Sequence, residues 1–449
     1  MVYEPVIGLE VHVELKTKSK MFCGCPADFF GKPPNTQTCP VCLGLPGALP
    51  VANQEAIRQA LIVGLALNCQ VNQESFFERK NYFYPDLSKG FQISQYQKPL
   101  SVNGCVEVDG QKYRINRAHL EEDTGKLLHE GEKTLIDFNR SGVPLLEIVS
   151  EADFHDAATA RKYLEKIYEI VRLLGVSEAD MEKGSMRLEA NVSVQEPGKY
   201  KVGGARVTGI GGYTPNPKVE LKNINSFRFV EKAINFELER QSEALEAGEK
   251  LVQETRGWNE KANKSYVQRT KEEANDYRYF PEPDLPPFSF TEAFLKELKK
   301  ISEEKLEESP ESVSKRLSKD LGLSFNKALE LTKIDGAIRI VNEVHVKLPN
   351  VSSEKIANLL INRQDYRSLS TENFIKKIGE DSLGVVDSDE ELLEVAQRVV
   401  ANNPNAISDY LNGKPNVVKF LLGEIMRETK GKANPNKARQ ALEKILAKR

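Results

Sequence analysis

No stretch of this chain reads as a membrane span or a secretion leader. The longest apolar run, Leu61–Leu67, is far too short to cross a bilayer, and no charged-then-apolar segment opens the sequence. The default expectation is a cytoplasmic protein. Excess charge is also missing: 63 Lys/Arg against 66 Asp/Glu leave a net charge of −3, so the average advertises no polyanionic partner. The familiar signatures of nucleotide and acyl-transfer chemistry are absent too. There is no G-x-x-x-x-G-K-[ST] loop, no glycine-rich kinase loop with H-R-D, and no G-x-S-x-G elbow. Any nucleotide chemistry must therefore use another kind of site. No internal repeat or low-complexity block appears. Cysteine is sparse, yet four of the six residues fall together as Cys23, Cys25, Cys39 and Cys42.

At 449 residues the chain exceeds one ordinary core, and two or three domains are expected. Residues 1–290 mix alternating strands, glycine-rich turns and a few helices, an α+β pattern with a largely antiparallel sheet. Helices are expected over Glu55–Leu67, after an N-cap at Asp153, and over Phe229–Glu246. The proline-rich FPEPDLPP (Phe280–Pro287) is read as a boundary, because it can continue neither a helix nor a central strand. Beyond it the chain is all-α: a helical domain over 291–380, with Lys327–Leu348 one of its elements, and a small helical tail bundle over 381–449. From Gly413 to Arg449 ten Lys/Arg face three Glu, so the acidic average conceals a basic tail suited to a polyanion.

Two groups of residues carry chemistry. C-x-C followed by C-P-x-C can close a four-thiolate shell around Zn²⁺, leaving no open position, so the expected role is a structural staple. Cys69 and Cys105 read as ordinary apolar residues. The second group lies on three strands. Glu10, His12 and Glu14 share one side of the first, His119 and Glu121 one side of the second, and Glu147 interrupts an apolar third, VPLLEIV. Converging carboxylates with a histidine would suit Mg²⁺, which keeps waters and substrate phosphates in its shell. Each acid could instead sit on a wet sheet face. Arg79–Gln95 and DYRYF (Asp276–Phe280) mix basic and aromatic residues, as surfaces that stack and neutralise nucleic acid do, or as packed domain edges do.

These stretches, with IGLEVHVELKTKSKMFCGC, HLEEDTGKL, DFNRSGVPLLEIVSE, LKNINSFRFV and the tail NNPNAISDYLNGKPNVVKFLLGEIMRETKGKANP, resemble the B-subunit family of the aspartyl/glutamyl-tRNA amidotransferases. The resemblance implies a ligase component that uses ATP to phosphorylate the side-chain carboxylate of misacylated Glu-tRNA(Gln) or Asp-tRNA(Asn). Its partners would be an amidase (A) subunit supplying ammonia from glutamine through a channel, and a small wrapping (C) subunit. It implies Glu10, His12, Glu121 and Glu147 as the Mg²⁺-binding kinase site, with Glu122 contending against Glu121. Lys80, Tyr82 and Lys89 become candidates for the channel end or for substrate charge. Arg427, Lys430, Lys432, Lys437 and Arg439 of the tail become tRNA-binding candidates. The chain departs from the family pattern at Leu188 and Glu189, at Asn275, and in a longer Gly203–Pro217 connection.

Overall fold

The computed structural model describes residues 3–270, 277–382, 388–411, 417–429 and 433–446. The chain forms two compact units, Met1–Ser312 and Val313–Arg449. The first is built on a nine-stranded sheet. In chain order its strands are β1 (Glu4–Glu14), β2 (Gln70–Val71), β3 (Ser101–Val108), β4 (Gln111–Glu122), β5 (Pro144–Ser150) and β6 (Met186–Gln195). A hairpin of β7 (Tyr200–Gly203) and β8 (Arg206–Gly209) follows outside it, and β9 (Val219–Ile224), β10 (Glu254–Asn259) and β11 (Lys264–Thr270) complete it. The spatial order is β11-β10-β9-β6-β1-β5-β4-β3-β2, antiparallel except at β9–β10. The expected α+β architecture with a largely antiparallel sheet is thus present.

Strand alternation assigns the two faces. Ile7, Leu9, Val11 and Val13 of β1, Leu146 and Ile148 of β5, Ala118 and Leu120 of β4, and Leu188, Ala190 and Val192 of β6 all point into one core. That core is closed by α1 (Gln54–Ala66), α2 (Ala157–Leu174), α3 (Phe227–Glu246) and α4 (Glu292–Leu306). Gly64 allows α1 its close approach to β3: a Cβ there would lie 2.3 Å from Ser101 Oγ. The opposite face, left polar, becomes the floor of a pocket.

Three local expectations are corrected. Helix α2 is capped by Asp156, whose carboxylate accepts the Thr159 N–H at 2.7 Å; Asp153 is already held by the Arg114 guanidinium. The proline-rich segment does not end the first unit. Phe280–Pro281 and Phe288–Ser289 pair as short edge strands, and α4 buries Leu298 in the first core, so that unit continues to Ser312. Lys327–Leu348 is two helices, Phe325–Thr332 and Ala337–Lys347, divided at Gly336 (φ +70°). The elements of the second unit's described residues are all helices, with one buried cluster around Val341, Leu360, Tyr366 and Phe374 and another around Leu392, Val399, Leu421 and Leu442.

Candidate active site and thiolate cluster

Register sets the centre of the polar face. Arg187 of β6, His12 of β1, Glu147 of β5 and His119 of β4 are successive cross-strand partners, so their side chains form one row. Glu121 stands two residues from His119 on the same face. His12 Nε2 lies 3.9 Å from Glu121 Oε1 and 3.8 Å from Glu147 Oε2, and His119 Nε2 lies 3.2 Å from that same Glu147 oxygen. One ligand atom each from His12, Glu121 and Glu147 fits within a 4.8 Å span. Ligands of an octahedral Mg²⁺ stand roughly 3–4 Å apart, so this donor set fits such an ion. The Nδ1 atoms of His12 and His119 are buried without a hydrogen-bond partner.

The fourth expected ligand falls beside this trio. Glu10 accepts from Asn191 Nδ2 at 2.8 Å and forms a second carboxylate group with Glu189 and Glu220. Lys222 partly neutralises that group, at 2.9 Å from Glu189 and 3.2 Å from Glu220. Burial raises the Glu10 pKa, and Glu147 and Glu189 raise it further. Glu147 goes the other way. Burial would push it up, but the charge and hydrogen bond of His119, then His12 and Lys80, hold it well below the usual carboxylate range. The two acids thus divide the work of carrying charge.

A pocket of about 1030 Å³ stands over this floor, with Glu10, His12, His119 and Glu147 at its base and Lys80, Arg117, Lys218 and Tyr279 in its walls. Burial works against the Lys80 ammonium, yet Glu121, Tyr279 and Glu147 raise its pKa above the ordinary lysine value. Lys80 also lies 5.1 Å from the Tyr277 ring centre. The other two channel candidates stand apart from the pocket lining. Tyr82 donates to Gln92 Oε1 at 3.3 Å. Lys89 is held in an ion pair by Glu122, which also accepts the Ile93 N–H at 3.0 Å. Glu122 is therefore a structural anchor, and Glu121 is the member that joins the histidines.

A buried charge network braces the same end of the sheet. Arg187 holds Asp123 through two hydrogen bonds of 2.7 and 3.1 Å, and Glu14 lies 3.8 Å from Arg187. Burial, with Asp123 adding to it, pushes the Glu14 carboxyl up to about 8 from its ordinary 4.5. The unfolded chain releases this proton near its ordinary value, while the folded chain keeps it to about 8. The folded state is therefore favoured in acid, and loses that advantage as pH rises between those two values. Glu14→Gln should raise the melting temperature by several degrees at pH ~8.5, corresponding to a few kcal/mol, and change it little at pH ~5. Parallel melting curves for the two proteins across this range would contradict the assignment.

The four cysteines also converge, one sulfur from each lying within a 4.8 Å span. Cys39 and Cys42 sulfurs are 3.9 Å apart, close to the ~3.8 Å edge of a tetrahedral zinc–thiolate shell. The Cys39 N–H donates to Cys42 Sγ at 3.2 Å. A residue that no motif singled out joins them: Lys20 is fully buried, with Nζ 3.7 Å from Cys42 Sγ and 2.7 Å from the Gln37 carbonyl. Among the described residues no carboxylate lies within ion-pair reach of it. A buried ammonium of this kind needs an anion, and the thiolate supplies it. The Cys42 thiol is lowered to about 5, first by the hydrogen bond from Cys23, whereas burial pushes Cys25 up to about 11.

In the tail, Arg427 pairs with Glu424 at 2.8 Å and Arg439 with Glu443 at 2.9 Å, both pairs being exposed enough to exchange for another anion. Lys437 lies on the last described helix, Pro435–Leu446, while Lys430, Lys432 and the departure at Asn275 lie outside the described residues. No described helix is long and apolar enough to cross a membrane.

Sheet, pocket and clusters together define the class. Residues 5–296 match the model of the GatB/GatE catalytic domain, and residues 340–446 match that of the GatB domain. The chain is 42% identical to the B subunit of the aspartyl/glutamyl-tRNA(Asn/Gln) amidotransferase of Persephonella marina, across 99% of this chain and 100% of that protein. Proteins of the same description from Thermotoga petrophila (42%, 99% of both chains) and a Roseiflexus species (40%, 100% of this chain and 99% of the relative) are similar along their whole length. The chain belongs to the family of B subunits of the tRNA-dependent amidotransferases.

Proposed function

We propose that this chain carries the ATP-dependent step of amidation, phosphorylating the side-chain carboxylate of Glu-tRNA(Gln), Asp-tRNA(Asn) or both. An amidase (A) subunit then supplies ammonia from glutamine, and a small C subunit completes a cytoplasmic heterotrimer. The observation that carries this reading is the convergence of His12, Glu121 and Glu147, with His12 and Glu147 at the base of a pocket walled by basic residues. The attacking group is the substrate's own carboxylate, so the chain needs no serine or cysteine nucleophile, which accords with the missing elbow and kinase motifs. Its residues have to hold phosphates, align the carboxylate and keep water out, because an acyl phosphate hydrolyses readily.

His12, Glu121 and Glu147 would hold Mg²⁺, which supplies charge neutralisation for the transferred phosphoryl group. His119 keeps Glu147 ionised and oriented. Lys80, protonated against burial, is placed to meet negative charge at the pocket wall. The four cysteines would hold Zn²⁺ structurally. The exposed cations of the tail would bind the tRNA backbone.

The test supplies ammonium in place of glutamine to the reconstituted complex, with ATP, Mg²⁺ and each misacylated tRNA, and measures amide and ADP together. One ADP per amide formed, with neither product when the tRNA carries its correct amino acid, is the expected result. Amidation that proceeds without nucleotide would overturn the proposal.

A further inference from the structure

The β7–β8 hairpin belongs neither to the core nor to the acidic row. Its strands have four residues each, too few to hold a fixed position unaided. It is nevertheless pinned at both ends. At the turn, Glu151 Oε2 accepts the Ala205 N–H at 2.7 Å while its Oε1 accepts Asn116 Nδ2 at 2.8 Å. Glu151 is 7% exposed, and a carboxylate so buried is unfavourable unless hydrogen bonds offset the lost hydration. One of the two offsetting bonds is to the hairpin turn itself. At the base, the Tyr213 hydroxyl and the Asn216 N–H both donate to Gln195 Oε1, at 3.1 and 2.9 Å, and Asn216 Nδ2 donates to the Val194 carbonyl at 2.6 Å. Ala205 takes a left-handed conformation (φ +55°), which alanine seldom adopts. The turn is therefore held where it is, and Gly204–Val207 form part of the pocket wall.

Arg206 follows this turn, paired through its backbone with Gly203 but exposed, its guanidinium without a hydrogen-bond or ion-pair partner among the described residues. Lys222, another cation of the pocket, is by contrast paired with Glu189 and Glu220. We propose that Arg206 is a phosphate-binding residue of the pocket, presented by the hairpin and positioned by Glu151. The proposal rests on reading the pocket as the site of ATP-dependent phosphorylation. A planar guanidinium takes two phosphate oxygens at once, which a lysine at the same place does not. From Glu147 to Glu151 is four residues of extended chain, roughly 13 Å. Arg206 therefore meets a phosphate some way along the floor from the acidic row. An inner phosphate of the nucleotide and the terminal phosphodiester of the tRNA offer the same chemistry there.

The experiment titrates ATP, inorganic tripolyphosphate and misacylated tRNA onto the complex reconstituted with its partner subunits. For Arg206→Ala, affinity for ATP and tripolyphosphate should fall on the order of tenfold or more, with tRNA affinity unchanged. Arg206→Lys should recover part of the loss. Weakened tRNA binding with unchanged ATP binding would support the phosphate site with the tRNA as its source. Glu151→Ala should reproduce the Arg206→Ala loss, and the double variant should lose no more than either alone, because both remove one contact. Additive losses would overturn the positioning role of Glu151. A folded Arg206→Ala protein with unchanged affinity for all three probes would overturn the proposal. Arg206-dependent tripolyphosphate binding in a wild-type complex that forms no amide would instead overturn the functional reading and leave the phosphate site standing.

Discussion

Glu147→Gln is expected to lower ammonium-driven amidation by about 10³-fold, with a melting temperature within a few degrees of wild type. Glutamine matches the volume of glutamate and can still accept the His119 hydrogen bond, so the β1–β5–β4 register should survive. What disappears is the carboxylate of the floor whose pKa His119, His12 and Lys80 hold well below the usual range against burial. Loss of that charge should appear chiefly in kcat and in a higher Mg²⁺ requirement, the pattern of an interaction strongest in the transition state. Two companion variants sharpen the result. Glu10→Gln should have a smaller effect, because Glu10 sits with Glu189, Glu220 and Asn191 beside the trio. Glu122→Gln should mainly lower the melting temperature, because it strips Lys89 of its partner. A Glu147→Gln enzyme retaining more than about a tenth of wild-type kcat would remove the trio from the reaction.

The two-residue period was enough to put Glu10 with His12, and Glu121 with His119, on shared strand faces, because alternation is a local property of a strand; Glu147 stood out only as the one carboxylate of an apolar strand. Convergence is not local. It depends on β1 pairing with both β5 and β6, contacts that reach from residue 12 to residues 147 and 187. The same register pulled Glu10 toward Glu189, which periodicity alone could not reveal. His119 was visible as a neighbour of Glu121 on one strand face, but its grip on Glu147 needed the β4–β5 register. Glu121 and Glu122 differ only by one step of alternation, and that step sends one to the histidines and the other to Lys89. The proline-rich segment stopped a secondary-structure element without stopping a unit, since short edge strands tolerate proline and α4 still found the first core. Lys20 left no sequence signal at all: a lysine next to a cysteine motif looks exposed until the fold closes over it.

Cys39→Ser/Cys42→Ser should abolish binding of the roughly one equivalent of zinc expected per chain, expose the segment around residues 28–51 to proteolysis, and cut amidation at least tenfold. The segment buries little apolar surface of its own: Phe30, Leu45, Leu49 and Val51 are exposed. Its other anchors are hydrogen bonds, among them Asn35 N–H to Asp137 Oδ1 at 2.9 Å, Gln37 N–H to Asn139 Oδ1 at 2.7 Å and Val51 N–H to the Phe22 carbonyl at 3.0 Å. The sulfur cluster is also joined to the floor. The Cys42 carbonyl accepts from Ser88 Oγ at 2.7 Å and from Ser141 Oγ at 3.2 Å. Lys89, next to Ser88, holds Glu122, and Glu122 adjoins Glu121 of the histidine trio. Losing the shell should therefore loosen Lys89 and Glu122 first and misplace Glu121 as a consequence. It should also strand the Lys20 ammonium, whose charge is answered by the Cys42 sulfur. Lys20→Met in the cysteine-substituted protein should then restore part of the lost stability, because an apolar side chain needs no counter-charge in that site. The rest of the first unit keeps its own core around α1–α4, so far-ultraviolet circular dichroism should change little while the proteolytic pattern changes strongly. Native protein that carries no zinc and resists cleavage at this segment would show that the four sulfurs pack without a metal, and that the loop is held by its hydrogen bonds alone.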